Sequence, residues 1–155
     1  MTYADTYIIR ASSVNANAIA LGLDGLVSDL QTSISTATIN TTSTTSVDYT
    51  GVSITVTTNT NEKVLILAHI NCSANAATTS VVIDVTQDGS IITSTVGGFY
   101  LTSRNNTAGA DGTISISAYS APSAGSHTYK IQWKVSGNTG YSTGARLTVL
   151  VVQAG

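Results

Sequence analysis

The sequence is poor in several residue types on which small domains often depend. Its 155 residues include one Cys, one Pro, one Met, one Trp, one Phe and two His, and only 9% are charged. The single Cys72 cannot form an internal disulfide, so the fold does not depend on one. Six scattered Lys and Arg residues cannot form the basic cluster that a phosphate backbone requires. We therefore expect no nucleic-acid partner.

Long apolar runs are also missing. No stretch approaches the roughly 18 consecutive apolar residues of a membrane-spanning helix. The chain does not open with a basic segment, an apolar run and a small-residue cleavage site, which together would form a signal peptide. We therefore expect no membrane partner and no export by a signal peptide.

Catalytic and metal-binding motifs do not emerge from the sequence. Nucleophilic catalysis needs a base held against the nucleophile, and neither His69 nor His127 lies in a motif with Ser or with Cys72. We expect each histidine to be a hydrogen-bonded strand residue. Turn chemistry accounts for Asp88-Gly89 and Asp111-Gly112 without a metal. The sequence therefore predicts a protein that is not an enzyme and has no cofactor and no metal.

Threonine and serine dominate what is present, with 26 Thr and 20 Ser. Threonine is β-branched and suits a pleated, half-hydrated surface, so this composition favours strands over helices. A disordered chain would also be rich in serine, but 42% hydrophobic residues is too high for one. The composition predicts an all-β domain that is kept in solution by hydroxyl groups.

Alternating apolar residues indicate a series of short strands. Val52, Ile54 and Val56 alternate in the first clear segment, and in residues 64–72 Leu65 and Leu67 make a second face apolar, which predicts a central strand partly covered on both faces. Further segments of this type occupy residues 34–40, 81–87, 90–96, 113–119, 127–135 and 145–152. Asp88-Gly89 predicts a hairpin turn between two of them. About eight strands at short spacing predict an antiparallel jelly-roll β-sandwich.

Core positions follow from the same alternation. Trp133 shares a face with His127, Tyr129 and Ile131, whereas Lys130 and Lys134 point to solvent. We expect the proline and glycine of the preceding "APSAG" to form a turn. The predicted core includes Ile66, Ile116, Ile131, Trp133, Leu147 and Val149.

The N-terminal third has a different pattern. Tyr7, Ile8 and Ile9 lie in a segment that we expect to be an extended arm. A four-three-four spacing then predicts a short helix over residues 14–32, with Ile19, Leu23, Leu26 and Leu30 on one stripe. Either this stripe packs on its own domain, or copies of it meet around a symmetry axis. We assign residues 1–45 to anchoring and oligomerisation and residues 46–155 to the jelly roll.

Two polar segments are candidates for loops that face a receptor. Residues 101–113 and 136–144 contain glycine and polar side chains, and loops on a rigid sandwich often carry binding residues. The candidate contact residues are Arg104, Asn105, Asn106, Asn138 and Tyr141. The alternative is that both segments are solvated hairpin loops.

A resemblance supplies a more specific expectation. The segment "APSAGSHTYKIQWKVSGNTG" followed by "ARLTVLVVQ", about residues 121–153, resembles the closing segment of many tailed-phage structural proteins. In that group a turn leads to a strand with His-Thr-Tyr and Trp, and then to a last strand of the form Arg-Leu-x-Val. The resemblance implies a jelly-roll domain of the tumour-necrosis-factor or complement-C1q type, usually trimeric.

Together these features predict a non-enzymatic virion structural protein on the particle surface, either a capsid decoration or a head or tail fibre protein. The expected partners are two further copies in a homotrimer, capsid or tail proteins, and a host surface glycan or protein. One alternative is a receptor- or glycan-binding adhesin tip. A second is a cell-surface filament subunit that adds its N-terminal arm to the sheet of the next subunit.

Overall fold

A computed structural model describes residues 27–92, 100–102 and 111–153, with only the backbone for 100–102. The described residues form ten strands. These are β1 (Val27–Ser35), β2 (Ile39–Thr41), β3 (Val47–Thr58), β4 (Glu62–Ala74), β5 (Ser80–Gln87), β6 (Ser90–Ile91), β7 (Tyr100–Thr102), β8 (Gly112–Ser120), β9 (Gly125–Val135) and β10 (Gly140–Gln153).

The strands form two antiparallel sheets. Sheet A has the order β1-β10-β4-β8, and β2 also pairs with β10. Sheet B has the order β3-β9-β5-β6, and β7 also pairs with β5. The long strands β3, β4, β5, β8, β9 and β10 alternate between the sheets, so each connection crosses from one layer to the other. This winding is that of a jelly roll, and the all-β prediction is confirmed.

The core lies between the inner faces of the two sheets. Along β4 and β9, every second residue is buried, because successive side chains of a strand point to opposite faces. Trp133 is buried at the centre with its ring centroid 5.4 Å from that of Tyr49. All six residues predicted for the core are buried.

Two tyrosines carry polar groups into this core, and both have partners there. The hydroxyl of Tyr49 lies 2.8 Å from Oγ of Ser142, and that of Tyr129 lies 3.0 Å from Oγ of Ser120. Each bond joins one sheet to the other. Because an unpaired hydroxyl in the core would be costly, these two contacts allow the large rings to be buried completely.

The predicted hairpin turn at Asp88-Gly89 is confirmed. Both residues have positive φ angles, 51° and 82°, as the tight two-residue turn between antiparallel strands requires. Gln87 and Ser90 pair across the turn. The side chain of Asp88 accepts a hydrogen bond from the backbone N–H of Thr128 at 2.8 Å, which joins the turn to β9.

The helix predicted over residues 14–32 is wrong in its described part, because residues 27–35 form strand β1. β1 pairs antiparallel with β10 from Val27 to Ser35. A backbone that meets an open strand edge gains a complete ladder of hydrogen bonds, and this tertiary pairing overrides a local helical spacing. Ile19, Leu23 and Leu26 lie outside the described residues, as do Tyr7, Ile8 and Ile9.

The start of the sandwich also differs from the expected one. Strands β1 and β2 belong to sheet A, although both precede residue 46. The strand expected at residues 34–40 is divided, since β1 ends at Ser35 and β2 begins at Ile39. The second face of β4, which we expected to be partly covered, has Leu65 and Leu67 exposed. The described residues leave this face open.

Candidate functional site

The outer face of sheet A, directed away from sheet B, carries an apolar row that crosses the whole sheet. Leu30 pairs with Leu150, Leu150 with Leu65, and Leu65 with Tyr119. Leu30 and Tyr119, at the two ends, are 61% and 62% exposed. We call these four residues the apolar row. Apolar side chains contiguous in space and open to water are typical of a surface that another molecule covers.

Strand β1 has its apolar residues on the side opposite to that expected for a sandwich. Leu30 and Ile34 point outward and are exposed. The alternate positions, such as Gln31 and Ser33, are polar and lie on the side of the buried residues Val149 and Leu147. The sandwich edge admits water there, so polar side chains are tolerated. The strand is therefore amphipathic with its apolar side toward the outer face.

The neighbouring row on the outer face has no charged side chain. It consists of Thr32, Thr148, Leu67 and Ser117. The hydroxyls of Thr32 and Thr148 lie 3.2 Å apart and satisfy each other. A partner could cover both rows without burying a charge, which is the costly step in forming most interfaces.

Farther along the same face, His69 connects β4 to β8. Its Nδ1 lies 3.2 Å from Oγ of Ser115, and its Nε2 lies 3.2 Å from Oδ1 of Asn71. Oδ1 of Asn71 also accepts a hydrogen bond from the hydroxyl of Thr113 at 2.9 Å. His69 is thus a hydrogen-bonded strand histidine, as predicted, and the contacts fix the orientation of the Asn71 carboxamide.

A polar cavity of about 250 Å³ lies at the end of sheet A farthest from the apolar row. We call it the polar cavity. Among the described residues, Tyr141 supplies its one aromatic ring, and Asp111 supplies a carboxylate. It is lined by Asn71, Cys72, Ser73, Asp111, Gly112, Thr113, Tyr141 and Thr143. A second hollow of about 420 Å³ shares Asn71 and Thr143 and extends toward Arg146.

A β-bulge shapes the polar cavity. The register of β10 against β4 shifts between Ser142 and Gly144, so Thr143 has no opposite residue and lines both hollows. Ser142, fully buried, holds the bulge. Its Oγ donates to the carbonyl oxygen of Asn71 at 2.7 Å and accepts a hydrogen bond from the backbone N–H of Gly144 at 3.3 Å. Bulges often aim side chains at binding sites in this way.

The second histidine forms a polar cluster at the other end of the molecule. His127 Nδ1 lies 2.7 Å from Oδ2 of Asp88, and Nε2 lies 2.9 Å from the carbonyl oxygen of Ser123. The hydrogen bond with Asp88 raises the pKa of His127, and the same contact lowers the pKa of Asp88. This histidine is also hydrogen-bonded on its strand, as predicted.

Cys72 does not have the properties of a nucleophile. It lies in the core, and burial raises the pKa of its thiol to about 11. Because the thiolate is the reactive form, a thiol with this pKa is unreactive near neutral pH. Among residues 27–92, 100–102 and 111–153, no three His, Cys, Asp or Glu side chains come together as a metal site would require. The same residues contain no helix long and apolar enough to cross a membrane.

The candidate receptor-facing residues are only partly placed. Arg104, Asn105 and Asn106 lie outside the described residues. Asn138 has a φ angle of 58°, and its Nδ2 donates to Oγ1 of Thr79 at 2.9 Å, so it has a structural role in its turn. Tyr141 lines the polar cavity with Asp111, which brings the two predicted loop segments together there.

Sequence reasoning missed Asn71 and Thr143. Asn71 lies on the outer face of a strand otherwise interpreted as core, where its alternation with buried Ile70 and Cys72 is the available signal. Thr143 reaches the cavity only because of the bulge, which has no local sequence signature beyond Gly144. The outward direction of Leu30 was likewise hidden by the helical interpretation.

The arrangement defines an antiparallel β-sandwich with jelly-roll winding. No protein family and no curated protein matches the sequence. Solved structures to which this chain is similar include latent PorU from Porphyromonas gingivalis, with 11% identity, a TM-score of 0.46, and 83% of this chain but 13% of that one covered.

Two further similar structures come from an insect and a virus. One is Eiger TNF from S. frugiperda, with 12% identity, a TM-score of 0.44, and 81% of this chain and 95% of that one covered. The other is the VP2 subviral particle of infectious bursal disease virus, with 12% identity, a TM-score of 0.45, and 80% of this chain and 33% of that one covered. None of these likenesses carries information on function.

Proposed function

We propose that this protein is a non-enzymatic structural component of a virus particle that assembles with copies of itself through the outer face of sheet A. The observation that carries the proposal is the apolar row of Leu30, Leu150, Leu65 and Tyr119, in which Leu150 is partly exposed and the other three are exposed. The resemblance of residues 121–153 to tailed-phage structural proteins supports the location on the particle surface.

A second copy is the partner that the surface favours. The apolar row and the row beside it contain no charge, so these rows of identical faces can meet around an axis without burying a charge, while Lys63 and Arg146 lie in the flanking rows. On β1, Leu30 and Ile34 point to the outer face, and the other side of the strand faces the sandwich. These two apolar side chains stabilise the protein only when a partner covers the outer face. We propose a closed trimer that is anchored to the particle through its N-terminal segment.

The mass of the full chain in solution tests the assembly. We expect a mass near three times 15.9 kDa for the wild type and a single-chain mass for Leu30→Asp, measured by sedimentation equilibrium. Thr57→Asp is the matched control, since Thr57 is an exposed strand residue on sheet B. A wild-type mass of one chain, or an unchanged mass for Leu30→Asp, would contradict the proposal.

Particle attachment needs a separate test. Antibodies against the purified chain should label the exterior of particles released from cells that carry the gene, as seen by immunogold electron microscopy. The double variant Leu23→Asp with Leu26→Asp should lose this labelling or the trimer while the sandwich stays folded. Unlabelled wild-type particles would overturn the assignment to the virion.

A further inference from the structure

We propose that the polar cavity of sheet A is a saccharide-binding site, in which one sugar ring packs on Tyr141 while Asn71 and Asp111 bind its hydroxyls. This is a binding function in addition to assembly. The proposal is based on the side-chain chemistry of the cavity, on its rigidity and on its position in the sheet.

The chemistry of the lining fits a sugar better than other ligands. A pyranose ring has an apolar C–H face and a rim of hydroxyls that both donate and accept. Tyr141 offers the aromatic face, Asp111 accepts hydrogen bonds, and the threonine hydroxyls can do both. The described residues that line this cavity include one carboxylate and no Lys or Arg, which disfavours phosphates and other anions.

Asn71 is oriented so that its donors remain for a ligand. Its Oδ1 accepts from Thr113 at 2.9 Å and is paired with Nε2 of His69 at 3.2 Å. Among the contacts of the described residues, none uses Nδ2 of Asn71. Since the amide has two donors on that nitrogen, the cavity presents donors from Asn71 at a fixed position and an acceptor from Asp111.

The bulge beside the cavity is held in place before any ligand binds. The buried Ser142 fixes the bulge that aims Thr143 into the cavity, and the hydroxyl of Tyr49 fixes Ser142 from the opposite sheet. Groups held in place by a second layer of hydrogen bonds lose little entropy when they bind.

Size and position also fit a sugar chain bound at the surface. A volume of 250 Å³ is below the roughly 300–1,000 Å³ of pockets that enclose drug-sized molecules, which suits one ring at a time. The adjoining hollow gives the next sugar a place to lie. Tyr141 lies nine positions from Leu150 along β10, or about 30 Å, so binding and assembly use different ends of the sheet.

The test uses the intact purified chain on an array of bacterial surface oligosaccharides, followed by titration calorimetry with the best-bound oligosaccharide. We expect Tyr141→Ala to raise the Kd by about tenfold or more, because the ring stacking is lost. Asn71→Asp should weaken binding as well, since it keeps the accepting oxygen but removes both donors. Saturation-transfer NMR should show the ring protons of one sugar in contact with the protein.

Tyr119→Ala is the matched control. Tyr119 is the other exposed tyrosine on the described part of this face, in the apolar row. We expect Tyr119→Ala to leave the Kd per chain unchanged and to weaken assembly, whereas Tyr141→Ala should leave the mass unchanged. The two proposals can therefore fail separately.

Two results would overturn the saccharide site. One is the absence of saturable binding by the wild type to any oligosaccharide on the array. The other is a Kd that stays the same in both Tyr141→Ala and Asn71→Asp while circular dichroism shows both variants folded. Either result would leave the polar cavity as a solvated end of the sheet.

Discussion

Nδ1 of His127 lies 2.7 Å from Oδ2 of Asp88, and this contact holds the β5–β6 turn against the start of β9. The other ring nitrogen, Nε2, lies 2.9 Å from the carbonyl oxygen of Ser123. Both partners are acceptors, and a neutral imidazole has only one N–H to donate. The full set of contacts therefore belongs to the protonated histidine, although Gln87 Nε2 also lies within 3.3 Å of Nδ1.

Stability should depend on pH through this pair. Hydrogen bonding to Asp88 raises the pKa of His127. The stabilisation by protonated His127 is therefore complete below the unfolded pKa of about 6.5 and is lost as pH rises through the folded pKa. The lowered pKa of Asp88 means that its contribution is present above about pH 4 and is lost as pH falls through the lower folded value.

We therefore expect His127→Gln to cost more stability at pH 5.5 than at pH 8.5, by roughly 0.5–1 kcal/mol, as Asp88 is half exposed and screened. Urea unfolding at the two pH values measures the difference. Asp88→Asn, which tolerates the positive φ angle, should show the same dependence. Equal costs at both pH values would show that the contact does not depend on charge.

Trp133→Ala should destabilise the sandwich by roughly 3–5 kcal/mol, because it removes the largest buried side chain and leaves Tyr49 without its packing partner. Denaturant unfolding followed by circular dichroism provides the measurement. If the variant lost assembly or binding while its unfolding midpoint stayed unchanged, Trp133 would be a functional residue and not a core residue.

Gly140 and Gly137 provide a paired test of packing. A Cβ at Gly140 would lie 2.6 Å from Cγ1 of Val135, whereas a Cβ at Gly137 would have no atom within 4 Å. Gly140→Ala should therefore cost about 1–3 kcal/mol from overpacking, and Gly137→Ala should cost little. Thermal unfolding of both variants measures this contrast, and similar Tm values would contradict the close packing at Gly140.

Tyr49→Phe tests the support of the bulge. The change should cost about 1 kcal/mol, as the contact with Ser142 is lost from a buried position. It should also weaken saccharide binding, because Thr143 loses the support behind it. Tyr129→Phe is the control, since it removes a similar contact with Ser120 far from the cavity. Equal saccharide affinity in the two variants would show that the bulge does not need Tyr49.

Much of the sandwich follows from local sequence because a period of two is read directly from a strand. The core positions Ile131 and Trp133 and the hairpin at Asp88-Gly89 are of this kind. Each depends on residues close to it in the chain. Local sequence was misleading at β1. Residues four apart fall on one stripe of a helix, but they also lie on one face of a strand.

The surface features could not be predicted because they depend on register between distant strands. Leu30 and Tyr119 enter one row only through Leu150 and Leu65, which lie on two other strands. The polar cavity likewise needs Asn71, Asp111 and Tyr141 from separate parts of the chain. Nothing near any of these residues in the sequence specifies its partners.

The position of β10 has a consequence for synthesis on the ribosome. This strand lies between β1 and β4 in sheet A, yet it is the last strand of the described chain. Sheet A cannot close until residues 140–153 have emerged from the ribosome. Until then β1, which carries Leu30, has no partner strand. Such long-range closure makes folding slow, and nascent chains stalled before residue 140 should be sensitive to proteases within residues 27–35.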